Sequence, residues 1–199
     1  MRPYKSGRIG WLDRLERSEQ KDQGGDRSWL KRTEPRLTEV SRDRETQSFE
    51  KVRLVRWKRV AESIQLSWPL KKPRITSHFG ERGGEPHDGV DLRARVGTPV
   101  HASHEGRVLY AGGGISGYGK LVVLRHPSGL ATVYAHNSRI QVKRGQWVRR
   151  GQWIANSGAS GRASGPHVHF EVRAGSRPLN PMDLIGDAAL KSSTLASLD

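Results

Sequence analysis

From Trp68 to about Ile185 the chain never sustains a helical period. Short runs rich in β-branched and aromatic residues alternate with glycine instead: RVLYA, KLVVLRH, ATVYAH, QWVRRGQWIAN and HVHFEVR. Runs of this length, separated by turn residues, read as strands. A parallel βαβ sheet needs crossover helices, and no segment here supplies one. The reading is therefore all-β: a compact antiparallel sheet or sandwich. The near-repeat RGQWVR/RGQWIA at 144–149 and 150–155 occurs only twice. It reads as two turns of a tightly wound β element and not as a solenoid.

This texture does not extend over the whole chain. Only 34% of the 199 residues are hydrophobic and 28% are charged, too polar for one uniformly packed globule. Residues 1–66 hold 17 Lys+Arg and 11 Asp+Glu and few apolar runs. They read as a basic, poorly packed N-terminal extension or linker. Trp11, Leu12 and Leu15 suit a short amphipathic turn, and 51–66 suit an element packing on the domain. Residues 67–186 read as the folded domain and 187–199 as a C-terminal tail. The first twenty residues carry charge but no apolar core, so no secretory signal is expected there. No run approaches the roughly 18 apolar residues of a membrane span.

The net charge of +15 attracts polyanions, envelope polymers among them. No recognised nucleic-acid motif accompanies it, so no specific nucleic acid is expected. The absence of cysteine excludes disulfides and thiolate metal sites. Any metal must be held by histidine and carboxylate.

Three of the histidine-bearing segments carry chemistry. In His87-Asp88-Gly89-Val90-Asp91, alternate side chains of an extended segment share a face, so His87 and Asp91 can converge. Gly89 leaves no side chain between them, and Val90 and Leu92 point to the core. In Pro166-His167-Val168-His169-Phe170-Glu171-Val172 the alternation is clean. His167, His169 and Glu171 face one way; Val168, Phe170 and Val172 face the other. In Tyr134-Ala135-His136 a histidine ends a strand. His87, Asp91 and His169 make three N/O ligands with a fourth tetrahedral position open, the composition of a catalytic zinc site. His136 and His167 are then available to move a proton or stabilise an oxyanion. Glu171 is a candidate to support a ligand histidine. His78, His101, His104 and His126 read as structural. If a neutral histidine is the base, activity falls on acidification through roughly pH 6–7.

The stretch from Pro69 to Ile185 resembles the lysostaphin-type (LytM-like) metallopeptidases. RITSHFGERGGEPHDGVDLRARVGTPVHASHEGRVLYAG, GYGKLVVLRHPSGLATVYAHNSRIQVKRGQWVRRGQWIANSGASGRASGPHVHFEVR and PLNPMDLI follow the family in order. The resemblance implies one Zn2+ per chain on His87, Asp91 and His169, with His136 and His167 catalytic. It implies a zinc-dependent endopeptidase cutting stem peptides or cross-bridges of bacterial peptidoglycan, and an envelope location. Arg82, in FGER, is a candidate contact for a substrate carboxylate. Asn137 stands where the family often has leucine, and is expected to alter the groove wall. The alternative is a non-catalytic wall-binding or amidase-activator module of the same fold. VKRGQWVRRGQWIA also echoes the turns of biotinyl or lipoyl carrier domains, but no suitably placed lysine follows and the histidines would be unexplained.

Overall fold

A computed structural model describes residues 66–82 and 84–185, with the side chains of Glu81 and Arg82 left aside. The N-terminal extension and the C-terminal tail lie outside the described residues. Thirteen strands are described: β1 (Ile75–Ser77), β2 (Gly80–Arg82), β3 (Glu85–His87), β4 (Val90–Arg93), β5 (Pro99–His101), β6 (Gly106–Gly112) and β7 (Lys120–Arg125), then β8 (Leu130–Asn137), β9 (Arg139–Ile140), β10 (Trp147–Val148), β11 (Trp153–Asn156), β12 (His167–Ala174) and β13 (Arg177–Leu179). All strand pairings are antiparallel. The all-β expectation holds.

The strands form a large sheet in the order β1-β4-β12-β8-β7-β6-β10, with β13 beside β12. A three-stranded sheet, β5-β11-β9, and the hairpin β2-β3 complete the described strands. Period-two patterning assigns each central side chain to one of two apolar layers. Val90, Leu92, Val122, Leu124, Tyr134, Phe170 and Val172 of the large sheet join Val100, Ile154 and Ala155 of the small one in the main core. Their neighbours in sequence, Leu121, Val123, Val133 and Ala135, join Leu109 and Tyr118 in a smaller cluster on the other face. Both faces of the central strands are thus covered, which is why LVVL and LATVYAH read as near-continuous apolar runs.

The sandwich is closed at its ends by short contacts. Leu66 bridges Ile185 in parallel. Asn180 caps the 3-10 turn Pro181–Asp183, its side chain accepting from the Met182 amide at 3.1 Å. No helix among the described residues is long and apolar enough to cross a membrane.

Candidate metal centre

The register of the large sheet brings the two distant motifs together. His169 on β12 stands directly opposite Asp91 on β4. Directly opposed residues of an antiparallel pair put their side chains on the same face, only a few Å apart. His87 arrives differently from the expected single extended segment: β3 ends at His87, Asp88 and Gly89 turn the chain, and β4 begins at Val90. Gly89 is required there. A Cβ at this position would collide with the Phe170 carbonyl oxygen and lie 2.9 Å from Glu171 Cγ.

Three ligand atoms converge. His169 Nδ1 is 2.9 Å from Asp91 Oδ1, His87 Nε2 is 3.1 Å from the same oxygen, and the two imidazole nitrogens are 3.2 Å apart. Tetrahedral ligands about 2.0–2.1 Å from a zinc ion sit about 3.3 Å from one another. All three residues are buried.

The tautomers decide what these atoms are. His87 Nδ1 lies 2.6 Å from the His78 carbonyl. A carbonyl only accepts, so Nδ1 carries the proton and Nε2 presents a lone pair. His169 Nε2 lies 2.9 Å from Glu171 Oε1. An ionised carboxylate also only accepts, so His169 Nδ1 presents its lone pair inward. Two bare nitrogens and a carboxylate oxygen then face one another with no proton between them. Such a constellation is repulsive until a cation occupies it. In the metal-free protein a proton serves: burial opposes it, but the hydrogen bonds to Asp91 and Glu171 outweigh burial and raise the His169 pKa to about 9. Burial pushes the Asp91 carboxyl up, yet the His169 and His87 rings against its Oδ1 hold it far below the usual carboxylate range. The donor set fits a borderline divalent ion.

Two more histidines border this centre. The His136 ring lies 4.7 Å from the His167 ring and 5.9 Å from the His169 ring, centroid to centroid. His136 Nδ1 is 2.8 Å from the Ser160 carbonyl and His167 Nδ1 is 2.8 Å from the Gly165 carbonyl. Each therefore donates from Nδ1 and keeps Nε2 free to accept a proton. His167 Nε2 lies 3.6 Å from Asp91 Oδ1.

Simple alternation would have placed His136 elsewhere. Tyr134 pairs with Phe170 and faces the main core, and His136 has the same parity. Its ring nevertheless lies on the His169 side. The register between β7 and β8 shifts between Lys120 and Val122, and His136 has φ 61°, the one positive value among the described non-glycine residues. A bulge and a left-handed residue turn the side chain over. Burial pushes the pKa of His136 down to about 4, with His169 and His167 adding to the fall and the Ser160 carbonyl opposing it. This residue stays neutral well below the pH 6–7 window expected from an ordinary imidazole.

Behind His169 stands a buried charge network of which the sequence reading named only Glu171. Glu171 Oε1 also accepts from Tyr118 Oη at 2.8 Å, and Glu171 Oε2 accepts from Arg173 Nε at 2.5 Å. Arg173 donates through Nη2 to Asp88 Oδ2 at 2.7 Å and through Nη1 to the Ser176 carbonyl at 2.9 Å. Glu171 and Arg173 are both fully buried. One guanidinium thus ties the residue after His87 to the residue that orients His169. Tyr118 extends the tie, because its carbonyl accepts the His136 amide at 2.9 Å. Arg173 was findable, since it continues the odd-numbered face 167, 169, 171. Tyr118 carried no signal, sitting in a glycine-rich loop.

One expectation is corrected. Asn137 is fully buried, and its amide nitrogen donates to the Lys120 and Tyr134 carbonyls at 3.0 and 2.7 Å. It braces the bulge and offers no surface to a substrate. The side chain of Arg82 lies outside the described residues.

Comparison with known proteins agrees with this geometry. The model of Peptidase family M23 matches residues 85–181. The catalytic domain of lysostaphin from Staphylococcus simulans is 32% identical, with 57% of this chain and 92% of that one covered and a TM-score of 0.53. DD-carboxypeptidase/endopeptidase Mpg of Neisseria meningitidis is 40% identical over 122 residues, 58% of this chain and 28% of Mpg. Murein hydrolase activator NlpD of Escherichia coli is 35% identical over 115 residues, 58% of this chain and 30% of NlpD. The chain spans less than half the length of these two curated relatives. With the fold, the ordered motifs and the match to nearly the whole lysostaphin catalytic domain in agreement, the chain belongs to peptidase family M23.

Proposed function

We propose that this chain is a zinc-dependent endopeptidase that hydrolyses peptide bonds of peptidoglycan in the cell envelope, with residues 67–186 as the peptidase unit. His87, Asp91 and His169 hold the ion, and His136 and His167 move protons. The observation that carries this reading is the convergence of three lone pairs within 3.2 Å, the two imidazoles oriented from behind by the His78 carbonyl and the Glu171 carboxylate.

A bound zinc ion supplies Lewis acidity, acidifying a water and polarising the scissile carbonyl. The protein supplies the rest. Asp91 contributes one negative charge to the ligand set, and Glu171 fixes the ring of His169. His136, neutral and held by Ser160, accepts a proton at Nε2. His167, held by the Gly165 carbonyl with its ring 4.7 Å from that of His136, provides a second imidazole for the oxyanion or the leaving amine. An envelope location accords with relatives named for activating murein hydrolases and for cell division.

The similarity to NlpD favours one second reading, an activator of other wall hydrolases. An activator needs no ligand triad and no paired imidazoles. Digestion of purified peptidoglycan with and without chelator, followed by mass spectrometry of released fragments, separates the two. The endopeptidase reading expects chelator-sensitive peptide fragments, about one zinc per chain, loss of both in His169→Ala, and zinc retained without turnover in His136→Ala. Zinc-loaded protein that releases no fragment but stimulates an amidase supports the activator.

A further inference from the structure

The last strand of the large sheet carries a large exposed aromatic, and its neighbours across the sheet are cations. Trp147 on β10 pairs with Arg107 on β6, Arg107 with Arg125 on β7, Arg125 with Ala131 on β8, and Ala131 with Arg173 on β12. Directly opposed residues share a face. This row therefore lies on the same face as His167, His169 and Glu171. The adjacent row runs through Val148 and Gly106 on the opposite face, where Val148 is part of the main core. Exposure rises along the first row: Arg173 is buried, Arg125 and Arg107 are half-buried, and Trp147 is 53% exposed.

Charge reinforces the pattern. Residues 106–170 contain no Asp or Glu and nine Lys or Arg. Two hydrogen-bonded turns flank Trp147, each closed by a bond from a glutamine amide: Gln146 to the Lys143 carbonyl at 3.1 Å and Gln152 to the Arg149 carbonyl at 3.1 Å. Gly145 and Gly151, at φ 83° and 74°, make both turns possible. They present Lys143, Arg144, Arg149 and Arg150, all exposed.

We propose that Trp147, with Arg107 and Arg125, forms a second substrate-binding site for the same polymer, an exosite on the metal-centre face. It takes a carboxylate-bearing glycan–peptide strand. The indole offers an apolar platform for a sugar ring, and the guanidinium groups recognise peptide carboxylates. Strands spaced about 4.8 Å apart put β10 four strands, or roughly 19 Å, from β12, and the row lies four residues, or roughly 13 Å, along from His169. A polymer spans that distance and a short peptide does not. The site rests on the peptidoglycan reading above.

The test uses the full chain with three variants: Trp147→Ala, Trp147→Tyr, and Arg107→Gln combined with Arg125→Gln. Cosedimentation with insoluble peptidoglycan and hydrolysis of both peptidoglycan and a short stem peptide are measured. Trp147→Ala and the double variant should each weaken pelleting and raise the half-saturating peptidoglycan concentration at least 5-fold. Short-peptide hydrolysis and zinc content should not move, and Trp147→Tyr should restore binding. Equal losses on the short peptide, or unchanged pelleting, overturn the exosite. So does displacement by anionic phospholipid vesicles as effective as by peptidoglycan fragments, which would assign the row to a phosphate surface. Should no hydrolysis occur at all, the endopeptidase reading fails while pelleting still judges the exosite.

Discussion

Replacing Arg173 by methionine tests whether the buried charge network is a matched set. The substitution keeps a flexible apolar body in the space of the arginine stem but removes the cation between Glu171 Oε2 and Asp88 Oδ2. Breaking a buried pair by removing one partner costs about 3–5 kcal/mol. The stranded carboxylate has an escape, because it can take up a proton. From an unfolded pKa near 4.3, protonating one carboxylate at pH 7 costs about 1.36 × 2.7, or roughly 3.7 kcal/mol. That sets a ceiling for each stranded group. At pH 5 the same ceiling is about 1 kcal/mol. The sign follows from linkage. Without Arg173 the folded pKa of Asp88, already raised by burial and by the Glu171 charge, rises further above its unfolded value, so the folded state binds more protons and recovers stability as pH falls. Urea denaturation in chelator, comparing the variant with the unaltered protein at each pH, should give a loss of about 3–4 kcal/mol at pH 7 shrinking towards 1 at pH 5. Glu171→Gln added to Arg173→Met should return part of the pH 7 loss. A loss under about 1 kcal/mol at pH 7, or one of equal size at both pH values, refutes the argument.

Glu171→Gln alone should weaken zinc binding by about 10–100-fold, read by competition with a fluorescent chelator, because an amide no longer fixes the His169 tautomer by charge. His126, buried against Thr132 and the Glu105 carbonyl, has its pKa pushed down to about 4 by burial. Its contribution to stability is fully present above pH 6.5 and is lost as pH falls towards 4, amounting to about 3 kcal/mol. His126→Gln should flatten that part of the denaturation profile, and an unchanged slope would contradict it. His136→Gly removes a left-handed residue of a kind that costs about 1–3 kcal/mol, so its unfolding free energy should stay within about 1 kcal/mol of the parent despite the lost ring. Hydrolysis should nevertheless cease; a markedly unstable His136→Gly protein would show that φ 61° carries no strain.

Much of this molecule was legible in one dimension. Alternation in HVHFEV separated Val168, Phe170 and Val172 from His167, His169 and Glu171 because a strand shows its faces with period two. Glycine spacing announced short antiparallel strands, and Gly89 announced a close approach that the Phe170 carbonyl makes real. Missing cysteine limited any metal to nitrogen and oxygen donors. What needed three dimensions was everything set by register and by irregularity. Asp91 meets His169 only because β4 and β12 pair in one frame, and a slip of one residue would turn the carboxylate to the core. His136 reaches the metal face against its own parity through a bulge and a reversed φ. Asn137 is buried for the same reason, as the brace of that bulge. Arg173, Asp88 and Tyr118 become one network only when a strand, a turn and a glycine loop are packed together. Periodicity is a local property and survives in the sequence; the pairing of distant strands is a property of the whole sheet, and only the folded chain holds it.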